Sequence, residues 1–81
     1  MLLENRAKRI EGVLETATEV WLVEAKDRVS SDALGALLLY ERLYRQHFPT
    51  GKLLVKVCVA DVDDVVARPA LEAFGVRVFV I

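Results

Sequence analysis

The chain has 81 residues, 54% of them apolar and 28% charged, with only two prolines and four glycines, which excludes a disordered polypeptide. That length allows one domain, near the lower end of what a single hydrophobic core can stabilise alone. Eleven basic residues against twelve acidic ones leave a net charge of −1, so no basic footprint of an avid nucleic-acid binder is present.

Residues 2–16 place Leu3, Ala7, Ile10, Leu14 and Ala17 at helical spacing, with Glu4, Lys8, Glu11 and Glu15 on the opposite face. The spacing predicts a first helix. Its acidic residues and the lack of a long apolar run argue against a signal peptide. "EVWLVEAKDR" follows. Residues 19–25 read as a strand that is apolar on both faces until its end, where Glu24 and Lys26 point the same way.

Residues 32–47 predict a helix with a wide apolar arc of Leu34, Leu37, Leu38, Tyr40, Leu43 and Tyr44. Ser30 or Ser31 suits its N-cap, Asp32 its first turn, and Glu41 can pair with Arg45 one turn on. His47, the only histidine, sits near its end, where a dipole-related role is expected. The one-turn spacing of Tyr40 and Tyr44 is that of packing residues.

"KLLVKVCVA", residues 52–60, predicts a second strand, with the single cysteine, Cys58, as a small buried apolar residue. A third helix, interrupted near Pro69, is expected in "DVDDVVARPALEAFG", with Asp61 or Asp63 as its N-cap. "VRVFVI", residues 76–81, predicts a last strand. The expected fold is a single α/β domain over residues 1–81, a small three-layer structure. Its mainly parallel three-stranded sheet would follow the order α-β-α-β-α-β.

In open parallel sheets ligands gather at the carboxyl ends of the strands. Glu24, Lys26 and Asp27 end the first predicted strand, and Asp61, Asp63 and Asp64 follow the second. Carboxylates at Glu24, Asp61 and Asp63 are therefore candidate ligands for a hard divalent cation such as Mg²⁺ or Mn²⁺. Lys26 is then the candidate group for orienting a water or stabilising charge on a phosphate. Helix capping is the competing role for the aspartates. No GxGxxG or GxxxxGK pattern follows any strand, which disfavours a nucleotide-binding domain.

The order of elements and the strand-terminal Glu24-Ala25-Lys26 resemble the PD-(D/E)XK nuclease superfamily, which includes restriction endonucleases and Holliday-junction resolvases. Helix 32–47 with Tyr40 is similar to the helix that follows (D/E)-x-K in that family, and residues 52–60 to its next strand. The resemblance implies a restriction endonuclease-like fold. It also implies Mg²⁺- or Mn²⁺-dependent hydrolysis of DNA, with Glu24 as metal ligand and Lys26 as catalytic lysine. In the family a metal-binding Asp sits on a strand before this motif, usually in a hairpin. Residues 1–18 hold no Asp, and a helix there leaves no room for a hairpin, so the Glu24 strand is expected at a sheet edge. Glu11 or Glu15 on that helix is a substitute ligand. The isolated chain is accordingly expected to be a poor nuclease or none. The rival readings are a non-catalytic structural or interaction module that retains the fold, and an unrelated α/β domain that binds a small ligand at its strand ends.

The apolar content exceeds what so small a domain can bury, which predicts self-association, most simply a homodimer. Nucleic acid is a candidate partner through the resemblance. No membrane partner is expected, since no apolar run approaches about 20 residues. A cytoplasmic location is expected. Asn, Gln and Met occur once each, a composition that fits a thermophilic source.

Overall fold

The fold was analysed in a computed structural model of the chain, which describes residues 12–81. The elements are β1 (Gly12–Glu15), β2 (Glu19–Arg28), α1 (Ser31–His47), β3 (Leu53–Val62), α2 (Ala67–Ala73) and β4 (Val76–Val80). They form one four-stranded mixed sheet in the order β1-β2-β3-β4. β1 runs antiparallel to β2, whereas β2-β3 and β3-β4 are parallel pairs.

The expected three-stranded parallel sheet is therefore corrected to four strands, and the domain is a small mixed α/β structure. The difference lies in residues 12–15, expected to be helical and found as β1. The remainder of the expected first helix lies outside the described residues. Thr16 explains the local outcome. Its hydroxyl accepts from the backbone N–H of Thr18 and of Glu19, and its own N–H donates to the Glu19 carbonyl. A side-chain turn of this kind competes with helix and reverses the chain into a hairpin. Ala17 lies in the turn, and Leu14, opposite Trp21, is left 59% exposed.

The period of two along each strand sends Val20, Leu22 and Glu24 of β2 to one face. Register carries that face through Leu54, Cys58 and Ala60 of β3 to Val76 and Val78 of β4. α1 lays Ala33, Ala36, Leu37, Tyr40 and Tyr44 against it, residues spaced at one helical stripe, and α2 adds Leu71. Both helices thus cover one face of the sheet, and among the described residues no helix covers the other. The described residues form two layers where three were expected. Leu38 and Leu39, on the far side of α1, are 41% and 46% exposed, so the apolar arc of this helix is wider than the sheet beneath it.

Lys56 breaks the apolar pattern of β3 on the helix face. Its side chain is 12% exposed and its ammonium lies 3.4 Å from Glu41 Oε1, so α1 supplies the counter-charge for a lysine on a central strand. Ser30 occupies the N-cap position of α1 without a side-chain cap bond. The carboxylate that closes the entry to α2 is Asp64, not Asp61 or Asp63: its Oδ1 accepts from the N–H groups of Val66 and Ala67, each at 2.9 Å. Those two bonds hold its carboxyl below the usual carboxylate range. Pro69 sits in the first turn of α2, where a missing N–H is tolerated. Gly75, at φ 81°, turns the chain from α2 into β4 in a conformation that other residues resist.

Candidate metal and phosphate site

Glu24 lies just past the middle of β2, on the face that α1 covers, and is a buried charged residue at 6% exposure. Lys26, two residues on, shares that face. Its Nζ is 3.5 Å from Glu24 Oε2, with side-chain exposures of 33% and 8%. The strand therefore carries its carboxylate inside and its ammonium at the rim. Neither is on a mobile surface loop: Glu24 is in register with Cys58 and Lys26 with Ala60, both buried on β3.

Cys58 is buried beside this pair. Burial raises its thiol pKa, the Glu24 charge raises it further, and Lys26 opposes the shift. A thiol so placed stays protonated and serves as packing, as its sequence context predicts.

The structure does not bring all the expected ligands together. Asp61 follows Ala60 by one residue and so belongs to the opposite face of the sheet from Glu24. Asp63 lies beyond the strand end, where its Oδ2 accepts from Arg68 at 3.1 Å and its Oδ1 from the Asp64 N–H at 2.8 Å. Asp61 and Asp63 therefore do not converge with Glu24, and the strand period gives the reason for the first. Among the described residues no group of three or more His, Cys, Asp or Glu is placed to hold a metal ion.

An open cavity of about 410 Å³ lies at the carboxyl ends of the strands, lined by Lys26, Asp27, Ala60, Asp61 and Ile81, among others. Lys26 links it to Glu24. This is the position where a parallel sheet offers its strand ends to ligands.

No family model, curated protein or solved structure matches this chain.

The hairpin adds a feature that sequence reasoning missed. β1 pairs Gly12 with Val23 and Val13 with Leu22. Glu11 lies outside the described residues. Glu15, the other substitute ligand, is at the far end of β1 opposite Val20, with its Oε2 2.6 Å from Lys52 Nζ. The signal for the hairpin was available in "ETATE", where Thr flanks a one-residue Ala between two β-compatible runs.

Proposed function

We propose that this chain is a minimal nuclease-type domain of the PD-(D/E)XK pattern, hydrolysing DNA phosphodiesters slowly and with a divalent metal. The observation that carries the reading is the Glu24–Lys26 pair. A buried carboxylate and a rim ammonium lie 3.5 Å apart on the strand that enters the crossover helix. The antiparallel partner of that strand supports it too, because it forms a hairpin where the sequence predicts none.

The described residues fit part of a Mg²⁺ or Mn²⁺ site. Glu24 supplies one hard oxygen donor, and Mg²⁺ is ordinarily held by one or two carboxylates with water and substrate oxygens. The family resemblance offers Glu11 as the second carboxylate. When bound, the cation would supply positive charge at the scissile phosphate and lower the pKa of a coordinated water. Lys26 acts from the chain itself. Its ammonium orients the attacking water or stabilises the charge that develops on the phosphate oxygens. Glu24 keeps that ammonium in place when no substrate is bound.

The test is incubation of the full chain with single-stranded, duplex and branched DNA in Mg²⁺ or Mn²⁺, beside Lys26→Ala, Glu24→Gln and Glu11→Gln. Slow, metal-dependent cleavage that disappears in all three variants is expected. Cleavage that persists in Lys26→Ala would assign it to another site or a contaminant.

A second reading, a non-catalytic interaction module with the same fold, is favoured by the placement of Asp61 and Asp63 away from Glu24. Under that reading the wild-type chain cleaves no DNA under any of these conditions and none of the three substitutions alters its behaviour toward metal.

A further inference from the structure

The face of the sheet opposite the helices carries an apolar strip with charge at both ends. Register aligns its rows across the strands. Leu14, Trp21 and Val55 form one row, and Val23, Val57 and Arg77 the next. Ala25, Val59 and Phe79 follow. Trp21 and Phe79 stack at 6.3 Å between centroids, and the Arg77 guanidinium lies 5.3 Å from the Trp21 ring. Trp21 Nε1 donates to Glu19 Oε1 at 2.8 Å, which fixes the indole. These side chains form an ordered layer over Val55 and Val57, which are 5% and 2% exposed. The layer itself is open at its rim: Leu14 and Leu53 are each 59% exposed and Phe79 44%.

The charges on this strip are arranged in order. Arg77 leans toward the amino end of β2, where it meets Glu19 at 3.6 Å. Asp27 and Asp61 belong to the same face at the carboxyl end, both exposed. Asp27 follows Lys26 and Asp61 follows Ala60, and Lys26 and Ala60 are register partners, so the two carboxylates are neighbours.

We propose that this face is covered by a second copy of the chain, packed sheet to sheet with the strands of the two copies running in opposite directions. A two-fold axis lying in the interface and crossing the strands between Val57 and Val59 produces that arrangement. It sets the Arg77 end of each copy over Asp27 and Asp61 of the other, twice, and buries Trp21, Phe79 and Leu53. The alternative two-fold, along the strands, would crowd four carboxylates together at one end, and like charges at that spacing oppose association. The face needs no adjustment of the domain to pack, since the Trp21–Arg77–Phe79 layer is already ordered by its own contacts. The Glu24 and Lys26 side chains lie on the other face, whereas Asp27 and Asp61 also line the strand-end cavity.

Sedimentation equilibrium of the full chain, from low to high micromolar concentration, tests it. Wild type is expected to dimerise. Phe79→Glu and Leu53→Glu, both at exposed positions, are expected to be monomeric with unchanged circular dichroism. Arg77→Asp is expected to weaken association at least tenfold, and so is Asp27→Arg with Asp61→Arg. Combining all three is expected to restore it. A wild-type monomer throughout would overturn the proposal. Fluorescence of Trp21, the only tryptophan, would then say which alternative holds: blue-shifted emission assigns the cover to residues 1–11 of the same chain, and red-shifted emission leaves the face to water. A dimer that survives Phe79→Glu and Leu53→Glu would move the interface elsewhere, with Leu38 and Leu39 of α1 as the first surface to substitute. Failure of the charge swap to restore association would overturn the antiparallel arrangement.

Discussion

Lys26 Nζ sits 3.5 Å from Glu24 Oε2, with the carboxylate buried and the ammonium one-third exposed. The pair is asymmetric, so removing either partner has different consequences. Lys26→Ala takes a counter-charge from a buried carboxylate and is expected to destabilise the fold by about 1 kcal/mol, well below the cost of breaking a fully buried pair because water reaches the lysine. Adding Glu24→Gln to Lys26→Ala is expected to recover part of that loss. Urea unfolding of wild type, both single variants and the double variant measures the coupling.

The Glu41–Lys56 contact is the deeper test of a buried ion pair. Lys56 is 12% exposed on a central strand, with Glu41 of α1 at 3.4 Å. Glu41→Ala leaves the ammonium without that partner and is expected to cost about 3 kcal/mol. Lys56→Met keeps the apolar stem of the side chain without the charge, and joined with Glu41→Leu it is expected to be neutral or stabilising. Thermal melts of the three variants check the order. A Glu41→Ala variant as stable as wild type would show that Lys56 gains nothing from α1.

Gly35 lies inside α1 with nothing within 4 Å of where a Cβ would stand. Its φ is not in the positive range that only glycine favours. Gly35→Ala is therefore expected to stabilise the protein by about 0.5–1 kcal/mol, through helix propensity and a less disordered unfolded chain. Chemical denaturation with an unchanged m-value and a raised midpoint is the expected result.

Asp64 links stability to pH. The Val66 and Ala67 N–H groups lower its carboxyl pKa from 3.8, so the folded state binds its proton less readily than the unfolded state does. Its stabilising contribution is present above the ordinary pKa and disappears as pH falls through the lowered one. Asp64→Ala is expected to reduce the melting temperature at neutral pH and to flatten the acid limb of the stability profile below about pH 4. An Asp64→Ala profile parallel to that of wild type down to pH 2 or so would contradict the assignment.

Much of the fold is legible in the residues, for physical reasons that differ by element. β2, β3 and β4 announce themselves as β-branched runs, and the structure extends the first two to Arg28 and Val62. α1 is readable because its Leu and Ala residues recur at helical spacing and "PTG" closes its exit. β1 is not, because Leu14 and Ala17 continue the spacing of Leu3, Ala7 and Ile10, and periodicity outweighed the Thr16 turn. The Glu24–Lys26 half of the site follows from the two-residue period. The capping carboxylate was misplaced because β3 runs two residues further than its apolar pattern, which shifts the entry of α2 from Asp61 or Asp63 to Asp64.

The central claim is that Glu24 holds a divalent cation beside Lys26. Calorimetric titration of Mn²⁺ into the full chain tests it without requiring turnover. The account predicts one binding event per chain, weakened at least tenfold in Glu24→Gln and unchanged in Asp61→Asn. No heat of binding in wild type, or binding that Glu24→Gln leaves intact, would contradict it.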